Sequence, residues 1–157
     1  MVSKEVSAPT SDGLSVASRP AAHKRVLLID YDDELAEVMG ELLKDDGLDV
    51  VLHTCSDDHC ICVDRVLETK PDLVLVNVAH SSGWATELQG WRCLQNIRAS
   101  ARTRRVPIIG YSVFDSIALE ELEINPLLIG VKIRAGISNP GQFADEIARL
   151  LVTKPAA

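Results

Sequence analysis

Apolar residues fall along the chain in two alternating rhythms, short unbroken runs and stripes spaced three to four residues apart. The clearest run is Leu73-Val74-Leu75-Val76, led in by Pro71-Asp72 and closed by Asn77-Val78. A run with β-branched residues and no polar alternation reads as a strand covered on both faces. It is placed at the centre of a parallel sheet. Val26-Leu27-Leu28-Ile29 is a second such run, stopped by the acidic cluster Asp30-Tyr31-Asp32-Asp33-Glu34. Asp49-Val50-Val51-Leu52-His53-Thr54 gives a short strand. Val106-Pro107-Ile108-Ile109-Gly110-Tyr111-Ser112 gives a fourth, with proline at its entry, where a missing donor is tolerated.

Between these runs the period changes to that of a helix. Leu35, Val38, Met39, Leu42 and Leu43 make one stripe, capped at its start by Asp32 or Asp33 and closed by Gly47. Cys62, Val63, Val66 and Leu67 make a second, ended at Lys70-Pro71. Cys93, Leu94 and Ile97 mark a third over residues 90–98. Residues 115–123, with Ile117 and Leu122 apolar, form a fourth, stopped by Asn125-Pro126. Phe143, Ile147, Leu150 and Leu151 mark the last. The fifth strand is open between Leu127 to Ile133 and Arg134 to Ser138.

Strand and helix alternating in this way argue for right-handed crossovers and one parallel sheet. Residues 1–23, rich in Ser, Ala and Pro, cannot bury enough surface to offset the entropy of ordering and are expected to be a disordered leader. Residues 154–157 are a short tail. The domain is therefore expected over 24–153.

Asn77 changes the picture most, because an open α/β sheet gathers its chemistry beyond the carboxyl ends of the central strands. An amide donates and accepts hydrogen bonds, but it cannot be a carboxylate nucleophile. Beyond it, residues 80–85 read as a polar, glycine-containing loop at the same edge.

Composition narrows the partners. In 157 residues, 46% hydrophobic and 25% charged, there is material for one core, and a net charge of −7 argues against a grip on phosphate backbones. Arg98, Arg102, Arg104 and Arg105 cluster without aromatic residues to stack bases and read as a solvated loop. No apolar run reaches the ~18 residues of a membrane span, and no signal peptide is readable, so a cytoplasmic protein is expected. The four cysteines, Cys55, Cys60, Cys62 and Cys93, are expected to be reduced thiols.

Three other chemistries are weaker. His53, Cys55, Asp57, Asp58, His59, Cys60 and Cys62 invite a metal site but lack the paired spacing of structural zinc, leaving Cys62 as a small hydrophobe. Ser112 with His80 lacks a nucleophile elbow and a third residue. The turn after the first strand repels phosphate instead of cradling it, which weakens a nucleotide or flavin site. Trp84 and Trp91 are interface candidates near the functional edge, although for Trp91 a cap on the core carries more weight.

Val26-Leu27-Leu28-Ile29-Asp30, Pro71-Asp72-Leu73-Val74-Leu75-Val76-Asn77, Pro107-Ile108-Ile109-Gly110-Tyr111-Ser112 and Asn139-Pro140, in this order, resemble the receiver domain of two-component response regulators of chemotaxis-regulator type. The resemblance implies a flavodoxin-like (βα)5 doubly wound fold with a five-stranded parallel sheet in the order 2-1-3-4-5. It also implies an acidic pocket of Asp30, Asp32 and Asp33, in which Tyr31 replaces the second acid of the pair that holds Mg²⁺. Asn77 stands at the phosphoacceptor position, Ser112 keeps the switch hydroxyl, and Asn139 matches the position of the pocket lysine, with Lys132 as the alternative. Gly136 stands where the aromatic switch residue belongs.

An aspartyl phosphate needs a carboxylate, a metal and a cation. The expectation is a non-enzymatic, stand-alone pseudo-receiver that is not phosphorylated at Asn77. Of the acidic pocket, Asp30 is expected to bind Mg²⁺ weakly at best, and the Asn77 amide to donate to that acid. Its partners are signalling proteins, a histidine kinase or other regulators, met non-covalently, with no nucleic acid or membrane partner and with homodimerisation left open. The alternatives are phosphate exchange through Asp32 or Asp33 and a small-molecule-binding flavodoxin-like domain.

Overall fold

The computed structural model describes residues 24–54, 61–82 and 85–153. The expected leader and tail, Trp84, and the segment holding Cys55, Asp57, Asp58, His59 and Cys60 lie outside the described residues. Strand β1 (Arg25–Ile29) leads to helix α1 (Asp33–Asp45), β2 (Asp49–His53), α2 (Cys62–Thr69) and β3 (Leu73–Asn77). A hairpin of β4 (His80–Ser82) and β5 (Ala85–Glu87) follows, then α3 (Gln89–Ala99), β6 (Ile108–Tyr111), α4 (Ser116–Glu121), a 3-10 turn (Pro126–Leu128), β7 (Lys132–Arg134) and α5 (Pro140–Thr153).

The main sheet runs β2-β1-β3-β6-β7, all parallel. Counting its own strands in chain order, that is 2-1-3-4-5, the doubly wound flavodoxin-like arrangement. Alternate residues of the central strands serve opposite faces. Leu27, Ile29, Val74 and Val76 pack with Val66 of α2 and Leu94 and Ile97 of α3. Val26, Leu28, Leu73 and Leu75 pack with Met39 and Leu43 of α1 and Phe143 and Ile147 of α5. Because β1 and β3 are covered on both sides, they show the unbroken apolar runs of the sequence.

Several expectations are corrected. The fifth strand is Lys132–Arg134, straddling both candidate segments, and Leu127 and Leu128 belong to the 3-10 turn. An edge strand with its two basic side chains exposed has no apolar run to announce it. The loop after Asn77 contains an antiparallel hairpin, pairing His80 with Glu87 and Ser81 with Thr86. Val38, Ile117 and Leu150 are exposed, whereas Ala36, Leu119 and Ala144 take the buried places. The thiols of Cys62 and Cys93 are joined in a disulfide, Cα to Cα 5.9 Å. Helices α2 and α3 lie side by side on one face of the sheet, and their buried cysteines meet within bridging distance.

Candidate functional site

The carboxyl ends of β1, β3 and β6 bring Asp30, Asn77, Tyr111 and Ser112 together, all essentially without solvent exposure. Asp30 follows the last residue of β1, and Asn77 pairs across the sheet with Tyr111. One oxygen of Asp30, Oδ1, accepts from Asn77 Nδ2 at 3.1 Å and from the Asp32 backbone N–H at 2.9 Å. The other, Oδ2, accepts from the Tyr111 hydroxyl at 2.5 Å. Among the described residues, this buried carboxylate has three hydrogen-bond donors and no cation as a partner.

Burial pushes the Asp30 carboxyl above its ordinary value, against the donated bonds from Tyr111, the Asp32 backbone and Asn77, which pull it down; the charge of Asp32 adds to the rise. Burial and the neighbouring Asp30 charge push the Tyr111 phenol well above its usual range, so it stays a neutral donor. Its ring is held by Phe143 of α5, centroids 5.4 Å apart.

Ser112 is turned into the backbone. Its hydroxyl donates to the Ala79 carbonyl at 3.3 Å and accepts from the Phe114 N–H at 3.0 Å. The Asn77 carbonyl oxygen Oδ1 accepts from the Ala79 N–H at 3.4 Å. Close beneath, α3 meets the end of β3 so tightly that a Cβ on Gly90 would stand 1.7 Å from the backbone carbonyl oxygen of Asn77.

The remaining predicted residues are elsewhere. Asp32 caps α1, its Oδ1 accepting from the Leu35 N–H at 3.1 Å, and Asp33 is exposed at the first helical position. Asn139 is exposed and accepts from the Gln142 N–H at 3.0 Å, capping α5. Lys132 is exposed on β7, opposite Ile109 and two residues short of the site end of that strand. Neither Asn139 nor Lys132 is a hydrogen-bond partner of Asp30; the group from across the sheet that meets this carboxylate is Tyr111. Trp91 is buried against the core, and Trp84 lies outside the described residues.

Tyr31 makes contacts of its own. Its hydroxyl is 3.0 Å from Cys93 Sγ, and its ring lies parallel to that of His80 at 6.3 Å. Tyr111 was the residue missed. The signal available was a phenol inside an otherwise aliphatic strand, since a buried tyrosine hydroxyl needs a partner.

The donor set determines what the cluster accommodates. A magnesium site offers several oxygen acceptors in octahedral array. Here one carboxylate faces an amide N–H, a phenol O–H and a backbone N–H, all with their positive ends inward. The cluster is complementary to the anionic side chain it already contains, and these residues do not fit the metal. Among the described residues no group of three or more His, Cys, Asp or Glu side chains is arranged to hold a metal ion.

No family model matches the chain, and no curated protein matches it. Solved structures do. The receiver domain of a sensor histidine kinase from Pseudomonas aeruginosa PAO1, with magnesium coordinated in its active-site cleft, superposes with a TM-score of 0.61 at 21% identity, covering 83% of this chain and 98% of that one. A putative response regulator from Chloroflexus aurantiacus gives 0.60 at 16% identity, covering 83% and 98%. A chemotaxis protein from Vibrio cholerae gives 0.59 at 16%, covering 82% and 99%. The chain has the fold of these receiver domains. No helix among the described residues is long and apolar enough to cross a membrane.

Proposed function

We propose that the chain is a pseudo-receiver, a protein-binding module of two-component or phosphorelay signalling whose phosphorylation pocket is closed by its own side chains. The observation that carries this reading is the Asp30 carboxylate, buried and satisfied on both oxygens by Asn77, the Asp32 backbone and Tyr111. A phosphorylatable pocket needs a nucleophilic carboxylate, room for a divalent cation and a positive charge for the phosphoryl group. Here an amide stands in place of the nucleophile, the Asp30 carboxylate is taken up by the Tyr111 phenol and two N–H groups, and Asn139, at the lysine position, is exposed and caps α5. Magnesium binding is correspondingly weak, because entry would break hydrogen bonds to a charged, buried group.

The module performs no catalysis. It exchanges no phosphate with its partners, a kinase or another regulator, and meets them through surface contacts in the fixed conformation that the locked pocket imposes. Incubation of the whole protein with acetyl phosphate and Mg²⁺, read by intact mass, tests this. The expected spectrum shows no phosphate adduct. An adduct mapping to Asp32 or Asp33 would replace the reading by that of an active receiver with a displaced acceptor, and a small molecule co-purifying in stoichiometric amount would replace it by that of a ligand-binding domain.

A further inference from the structure

Cys62 and Cys93, expected as reduced thiols, are bridged from α2 to α3. Two features around the bridge are not needed for packing. The first is Tyr31. With the sulfurs bonded to each other, neither carries a hydrogen, so the Tyr31 hydroxyl is the donor in its 3.0 Å contact with Cys93 Sγ. A disulfide sulfur is a weak acceptor, whereas a thiolate at the same place is a charged one, and hydrogen bonds to ionised partners are roughly twice as strong. The hydroxyl is better matched to the reduced sulfur than to the bridged one. The second feature is the place of Cys62, the first residue of α2. That helix has only eight residues, its start has no side-chain cap, and the preceding Ile61 is 55% exposed. Two turns of helix are marginal alone, and an uncapped end is where local opening begins. Such opening uncovers Cys62, buried while the helix is closed, and leaves Cys93 covered in the middle of α3.

We propose that the Cys62–Cys93 bond is a reversible thiol–disulfide exchange site, opened by a dithiol reductant that attacks Cys62, with Tyr31 stabilising the departing Cys93 thiolate. A thiolate of the reductant bonds to Cys62 Sγ, the bond between the two protein sulfurs breaks, and its electron pair leaves on Cys93 Sγ, where the Tyr31 hydroxyl donates to it. The second thiolate of the reductant then attacks the reductant's own sulfur in the mixed disulfide. That step closes the reductant's disulfide and releases Cys62 as a thiolate at the start of α2, where the helix N–H groups favour negative charge. The protein pair gains two electrons and two protons, and the dithiol loses the same. The exchange is felt beside the acidic cluster, because Tyr31 follows Asp30 in the chain and its ring lies parallel to that of His80 in β4, 6.3 Å away. This chemistry goes beyond the pseudo-receiver reading and holds whether or not that reading does.

The test uses the full oxidised chain, with any free thiols first blocked by iodoacetamide. Dithiothreitol is expected to reduce the folded protein without denaturant, and oxidised glutathione to restore the bond once the dithiol is removed. Reduced glutathione, a monothiol, gives the site of attack: after an acid quench, peptide mass is expected to find glutathione on Cys62 and a free thiol on Cys93. Tyr31→Phe keeps the ring and removes the hydroxyl. Native reduction of this variant should slow by about tenfold, the effect of losing one hydrogen bond to a charged group, while its rate in urea, where the contact is lost, should match that of the wild type. A tyrosine serving only the packing would leave the native rate unchanged or, by loosening the helices, raise it, and either result would overturn the proposal. Glutathione on Cys93, or a bond that yields only in denaturant, would do the same. In ¹⁵N spectra of the full chain, reduction should shift the amides of Tyr31 and His80; shifts confined to α2 and α3 would contradict the role given to Tyr31.

Discussion

Tyr111→Phe removes one oxygen from the molecule and one donor from Asp30. The hydroxyl lies 2.5 Å from Asp30 Oδ2, and neither side chain is exposed to bulk solvent. A hydrogen bond to a charged, desolvated acceptor contributes about 1.5–3 kcal/mol. For a domain of this size that corresponds to a fall in Tm of roughly 3–12 °C, at about 2–4 °C per kcal/mol. The aromatic ring and its contact with Phe143 are retained, so the loss belongs to the hydroxyl.

The effect should depend on pH, and its direction follows from Asp30. The folded-state pKa of this carboxyl is raised above its ordinary value of 3.8, so folding favours the protonated acid. Its contribution to stability is fully present below 3.8 and is lost as pH rises through the folded value. Because the Tyr111 bond pulls that value down, its removal drives it higher, and the variant loses more as Asp30 ionises. The gap between wild type and Tyr111→Phe should therefore be widest at neutral pH. It should shrink below pH 3.8 toward the roughly 0.5–1.5 kcal/mol of a bond between neutral groups. Urea unfolding of both proteins at several pH values, followed by tryptophan fluorescence, measures that difference and cancels the titrations they share. A gap near zero at neutral pH, or one that widens in acid, would refute the argument that the phenol stabilises a buried carboxylate.

Two further predictions test the surroundings of the cluster. Gly90→Ala places a methyl 1.7 Å from the Asn77 carbonyl oxygen, a backbone atom that cannot swing aside. Unfolding should show a loss of at least about 1–3 kcal/mol, the usual cost of overpacking, with amide shifts spreading from Asn77 to Val78; a neutral substitution would mean that α3 does not press on the site. Reduction of the Cys62–Cys93 bond, or Cys93→Ser, opens a loop with a sequence separation of 31 and should cost up to about 3–4 kcal/mol. Alkylation and intact mass under non-reducing conditions should find both sulfurs protected, and free thiols at both positions would contradict the bridge.

The parts of the fold that are written most plainly in the sequence are those covered on both faces. Leu73-Val74-Leu75-Val76 and Val26-Leu27-Leu28-Ile29 bury every side chain, so composition alone announces them. At the edge of the sheet that signal vanishes. Lys132 and Arg134 face solvent around a half-buried Ile133, while the more apolar Leu127 lies 88% exposed in a 3-10 turn. Hydrophobicity there marks a surface and not a strand. The hairpin after Asn77 has only three residues in each strand, too few for a period of two to show; the Gly83-Trp84 pair between them was its best sequence signal.

The candidate site divides in the same way. A donor at position 77 facing Asp30 follows from an amide opposite a carboxylate at the ends of adjacent strands. The second donor does not follow so directly, because a search for a cation leads to Asn139 or Lys132, and both are exposed on the surface. Tyr111 reads as one more apolar strand residue until the fate of its hydroxyl is asked. The disulfide is hidden for a different reason: Cys62 and Cys93 are far apart in sequence, and only the packing of α2 beside α3 brings them together.

The most direct measurement is a titration of the full protein with Mg²⁺ and beryllofluoride, an aspartyl-phosphate mimic, monitored by tryptophan fluorescence, with Asn77→Asp alongside. The wild type is predicted to stay flat apart from the effect of ionic strength, because Asp30 is already satisfied by Asn77 and Tyr111. Asn77→Asp, which removes one donor and adds an acid, is predicted to respond. A saturable response of the wild type at low metal concentration would contradict a closed pocket and return the chain to the working receivers whose fold it shares.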